Sequence, residues 1–158
     1  MSMRNLLYIM IFCLSGCNHY HHPDSYCQEC PAIYPDYADV TFPSNIAPPN
    51  FIIREEGEKY QTEIGYDGET VKILIQDDDP LVRIPQNEWK ALLKQAAGKR
   101  IFFRISVRQQ NKWVRYADIQ DSISSYPIDP FLVYRLLYPG YELWNEMGIY
   151  QRDLTSYK

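Results

Sequence analysis

The chain has 158 residues, a formal net charge of −4 and no basic cluster. That balance excludes nucleic acid as a partner, because affinity for phosphate backbones comes from neutralising them with Lys and Arg. The length suffices for one modest domain and not comfortably for two. The 14 tyrosines and 11 prolines suit a β-rich extracytoplasmic module better than a helical enzyme, since aromatics favour strands and Pro breaks helices.

Residues 1–16 have the parts of a lipoprotein signal peptide. Arg4 supplies the positive start, and Leu6 to Leu14 form an apolar run of about nine residues, well short of the roughly 20 that span a bilayer. Leu14-Ser15-Gly16-Cys17 reads as a lipobox, an aliphatic and two small residues before the cysteine that receives diacylglycerol. Cys17 is the expected lipidation site. A diacylglyceryl group plus an N-acyl chain such as palmitate gives stable anchoring. Cleavage removes Arg4 and no acidic residue, which takes the mature charge from −4 to −5. The expected address is the cell envelope, on the outer membrane. The residues after Cys17, Asn18-His19-Tyr20, lack an acidic export run, which favours the periplasmic face.

Residues 17–36 read as a flexible lipidated tether, polar, Pro-containing and without apolar periodicity. Cys27 and Cys30 are spaced to chelate or to form a local disulfide. With His19, His21 and His22 they form a candidate zinc, copper or thiol-redox cluster. Pro31 follows Cys30 where haem attachment needs His, so no haem is expected there. A local disulfide is the plainer account in an oxidising compartment, and no cofactor is assigned.

Residues 37–158 are expected to form a mainly β, immunoglobulin- or fibronectin-like sandwich with one short helix. Strands are predicted over 51–54, 59–66 and 70–76, with Asp67-Gly68 as a hairpin turn between the last two. In the third, Val71, Ile73 and Ile75 alternate with Lys72, Leu74 and Gln76. Asp77-Asp78-Asp79 reads as a solvated acidic turn, lacking the Gly and Glu of a calcium loop. Trp89, Leu92, Leu93 and Ala96 share one helical face between Pro85 and Gly98. Strands follow over 100–108, 113–119 and 131–138, with a loop over 122–129, a short helix over 141–148 and a last strand near 149–151. All three histidines precede the expected domain, so a histidine-based catalytic site inside it is not expected, nor is an enzyme. A glycan-stacking role for exposed aromatics is a further alternative. From about 127 onward the chain is a connector unusually apolar for a tail, and Leu143, Trp144 and Met147 are candidate partner-interface residues.

Several stretches carry a family resemblance. They are Tyr34-Pro35-Asp36-Tyr37, Asn45 to Phe51, Tyr126-Pro127-Ile128-Asp129, Tyr134 to Glu142 and Gly148 to Arg152. These resemble the N-terminal region of TolB-like β-propeller lipoproteins of Bacteroidetes-type bacteria, often labelled cytochrome c biogenesis proteins. The resemblance implies a lipoprotein signal and a sandwich-like domain ahead of a Cys-x-x-Cys-His stretch and propeller repeats. This chain stops at Lys158 without either later element, and Cys27 and Cys30 lie on the wrong side of the domain to replace the first. A truncated or split relative is expected, a membrane-anchored binding or scaffolding module whose partner is a separate propeller or another envelope protein.

Overall fold

A computed structural model describes residues 20–68, 70–135 and 148–157. The expected signal helix, Cys17, His19, Leu143, Trp144, Met147 and all but the last residue of the helix expected over 141–148 lie outside these residues. The fold is mainly β with one short helix, and its core lies between a large sheet and a second, smaller layer. Among the described residues no helix is long and apolar enough to cross a membrane.

The large sheet is built on β8 (Arg100–Gln109). One edge of β8 pairs antiparallel along its length with β5 (Lys59–Tyr66), which pairs on its other side with β6 (Thr70–Asp77). The opposite edge is shared by β9 (Lys112–Arg115) and β10 (Ile119–Ile123). Beyond them lie two short parallel additions, β1 (Ser25–Tyr26) beside β9 and β3 (Thr41–Phe42) beside β10.

The single strand expected over 113–119 is thus two strands on one edge. The chain bends at Tyr116 to Asp118, where Arg115 and Asp118 pair at 3.2 Å and the Tyr116 N–H donates to the Ile105 carbonyl at 3.0 Å. For the same reason β10 runs into the expected 122–129 loop. The two return turns need positive φ, and Asp67-Gly68 and Gln110-Asn111 supply it.

The second layer consists of β2 (Ile33–Tyr34), β4 (Phe51–Ile53) and β7 (Leu81–Val82), paired antiparallel, together with α1 (Gln86–Ala96). Trp89, Leu92, Leu93 and Ala96 are all buried, as their spacing predicts. They meet Ile101, Phe103, Ile105 and Val107 of β8, Ile64 and Ile73 of the hairpin, and Phe42 and Phe51 in one core cluster. Trp89 donates its indole N–H to the Ile46 carbonyl at 3.1 Å, which seats the proline-rich segment 43–50 on this layer. The β5–β6 register shifts between Ile64 and Gly65. Across that bulge Val71 opposes Gly65 and leaves the core face that its alternation with Ile73 predicts, ending exposed.

The expected tether is corrected over residues 20–36. Ser25–Tyr26 and Ile33–Tyr34 are sheet strands, and Pro31 is buried. A polar stretch without apolar periodicity can still satisfy its backbone on an open sheet edge, and β9 offers one. The Asp24 N–H donates to the Trp113 carbonyl and the Cys27 N–H to the Arg115 carbonyl, both at 2.8 Å. His21 and His22, expected to precede the folded part, belong to this strap.

Candidate functional site

Two constellations lie outside the core. The first is a hairpin of β11 (Phe131–Arg135) and β12 (Ile149–Asp153), with Leu132 opposite Arg152 and Tyr134 opposite Tyr150. Two strands alone are marginal in water, and here the base is pinned to the second layer. The Ala47 N–H donates to the Leu154 carbonyl and the Leu154 N–H to the Pro130 carbonyl, both at 2.8 Å. Asn45 holds Ile128 by a reciprocal pair, accepting its N–H at 3.0 Å and donating to its carbonyl at 2.9 Å. Past the hairpin, the Asp153 carboxylate accepts bonds from the Ser156 hydroxyl and from Thr155, which hold it below the usual carboxylate range. The Tyr157 hydroxyl donates to the Pro48 carbonyl.

Directly opposed residues share a face. One face therefore carries Phe131, Val133 and Ile149 together with Arg135, Gln151 and Asp153, and Val133 and Ile149 are 61% and 80% exposed. The other carries Leu132, Tyr134, Tyr150 and Arg152, with the two tyrosine rings stacked on each other at 5.8 Å. Leu132 and Arg152 continue into a groove of about 320 Å³ whose walls include Tyr37, Pro48, Pro49 and Tyr157. Burial, then the neighbouring Tyr157, pushes the Tyr37 phenol above its ordinary value. The groove thus borders the hairpin at Leu132, Arg152 and Asp153. A larger open groove of about 640 Å³ is bordered by Glu56, Glu58, Gln109 and Lys112.

The second constellation is polar and lies on the opposite, outer face of the large sheet. Glu63 is buried and pairs with Arg104 at 3.1 Å, and Arg104 also pairs with Asp118 at 3.3 Å. Arg115 meets Asp118 from its other side. The strap crosses this face. Gln61 bonds the His21 backbone, and the His21 ring stacks on Trp113 at 4.8 Å and 16°. Burial, followed by the Glu63 carboxylate that its hydroxyl meets, raises the Tyr20 phenol pKa. Every formal charge in this network has an opposite partner, so the network acts as a clasp across the outer face.

Of the residues singled out from sequence, Cys27 and Cys30 carry free thiols, half-buried and exposed respectively. His21 is committed to Trp113, and His22 stands edge-on to Tyr20 at 4.8 Å. Among the described residues no group of three or more His, Cys, Asp or Glu is placed to hold a metal. The acidic turn is locally engaged, with Asp77 and Asp79 accepting backbone N–H bonds and Asp78 meeting Lys59 at 3.0 Å. Trp89 is a core residue, as its helical position predicts. The sequence places candidate interface residues at Leu143, Trp144 and Met147, outside the described residues, within an apolar 127–152 stretch whose strand over 131–138 could equally be the last of the core; the structure leaves Phe131 to Tyr134 exposed. The signal available was their continuous apolar run without alternation, which does not distinguish a strand buried on both faces from one exposed on both. No family model, no curated protein and no solved structure matches the chain.

Proposed function

We propose that this protein is a membrane-anchored envelope lipoprotein, acylated at Cys17, whose β-sandwich is a non-catalytic docking module for another envelope protein. The observation that carries the reading is the β11–β12 hairpin, pinned at its base and exposing large apolar side chains on both faces. Large exposed apolar patches mark interaction surfaces, and strand edges left unpaired, as β11 and β12 are among the described residues, invite strand addition. A protein partner fits better than a glycan. Leu132, Val133 and Ile149 are exposed beside the aromatics, and Tyr134 and Tyr150 each spend one ring face on the other instead of offering it to a sugar. A separate propeller protein of the kind the resemblance implies is one such partner.

The test uses the full chain in its own membrane, with a photo-cross-linking residue at Val133 or Ile149. A discrete protein adduct is expected. The adduct should disappear in Leu132→Glu and Tyr134→Glu variants that keep the wild-type melting temperature. Self-adducts alone would replace the partner with a second copy of this chain, and labelling no different from that at exposed Gln28 would overturn the docking surface.

A further inference from the structure

The strap residues lie on the outer face of the large sheet, whereas the hairpin is pinned to the layer on its other face. The assignments follow from register. Gln61, Glu63, Arg104 and Trp113 alternate with the core residues along their strands, and the strap meets Gln61, Glu63 and Trp113. The hairpin instead hangs from Ala47 and Asn45, in the segment that Trp89 of α1 holds. Tyr20 already belongs to the strap through Glu63. Only Asn18 and His19 separate it from Cys17, three Cα-to-Cα steps that span at most about 11 Å when fully extended.

Resting on the acylation of Cys17, we infer that the domain rides directly on the bilayer, with its strap face against the lipid headgroups and its hairpin directed away from them. A tether of about 20 residues would leave orientation free, and a leash of two residues does not. The strap face also has chemistry that suits a headgroup layer. Tyr26 is exposed on it, with the Arg115 guanidinium 5.8 Å from its ring centre, and tyrosines favour the boundary between apolar and wet surroundings. The clasp thus presents the docking hairpin outward while the anchor stays short.

The experiment places a donor fluorophore at Gln28→Cys or at Gln151→Cys in a Cys27→Ser/Cys30→Ser background. The full, membrane-processed protein is reconstituted in vesicles with acceptor-labelled headgroups, and its mature N-terminus is checked by mass spectrometry. Energy transfer from position 28 is expected to exceed that from position 151 several-fold. Ten Gly/Ser residues inserted after Cys17, with a root-mean-square reach of about 17 Å, should bring the two toward equality. Equal transfer on an acylated protein, or an insertion without effect, overturns the leash while leaving the lipid reading intact. An N-terminus without acyl groups overturns both.

Discussion

The Gln61 side chain grips the backbone of His21 from both sides. Its Oε1 accepts the His21 N–H at 3.0 Å and its Nε2 donates to the His21 carbonyl at 3.1 Å. Gln76 donates to the same Oε1 at 2.7 Å, so one buried amide joins the strap, β5 and β6. Gln61→Ala leaves these groups without their partner, at an expected cost of about 1–3 kcal/mol. The distinguishing readout is local. Amide exchange at His21 and Asp24 should accelerate in the variant at denaturant concentrations where the core amides of β8 stay protected, and uniform acceleration would mean the strap is not a separable unit.

Arg104 is the hub of the outer-face network, and its loss is felt through Glu63. Arg104→Met keeps most of the stem but leaves the Glu63 carboxylate, 2% exposed, without its cation. Breaking a buried pair on one side costs about 3–5 kcal/mol. The Arg104→Met/Glu63→Gln double variant should recover a large part of that loss in urea melts. If the double variant were no more stable than the single one, Glu63 would not be the source of the penalty.

Asp121 gives the fold a pH dependence opposite in sign to the usual paired carboxylate. It sits on β10 opposite Ile101, buried, with Oδ1 accepting the Val40 N–H at 2.9 Å and Oδ2 without a hydrogen-bond partner. Burial pushes its pKa up to about 6; the Val40 bond offsets part of the rise, and Asp39 and Asp36 add to it. A carboxylate raised in the folded state contributes stability that is fully present below its unfolded pKa, near 3.8, and is lost as pH rises through the folded value. The Asp121 contribution therefore falls between about pH 4 and 6, by at most about 3 kcal/mol for a shift of this size. Subtracting the stability profile of Asp121→Asn from that of wild type should expose the fall, and a flat difference would show that Asp121 is not its origin.

Gly57 is required by contact rather than by backbone angle. A Cβ built there would lie 2.1 Å from the Val107 Cγ1 and 3.1 Å from the Arg108 carbonyl oxygen. Val107 is fully buried and cannot yield without disturbing β8. Gly57→Ala is expected to cost about 1–3 kcal/mol, as overpacking does. The Gly57→Ala/Val107→Ala pair should cost less than the sum of the two singles in a double-mutant cycle, and strict additivity would place the clash elsewhere.

Patterns whose cause lies within a few residues were legible in the amino-acid order alone. Trp89, Leu92, Leu93 and Ala96 repeat at helical spacing, and Asp67-Gly68 permits the backbone angles of a tight return, so α1 and the β5–β6 hairpin follow from local chemistry. The outcomes that only the tertiary structure decided depend on which surface a segment meets. Residues 20–36 have no apolar period, yet the open edge of β9 and the side chain of Gln61, some 40 positions later, make them a strap. Phe131 to Tyr134 are apolar enough for a core strand, but β12 pairs them into a hairpin whose base alone is held to the second layer, and both faces stay exposed. Val71 follows its alternation until one extra residue in β6 turns it outward. Side-chain type sets what a residue can bury, whereas partner and register, fixed by contacts distant in sequence, set whether it does so.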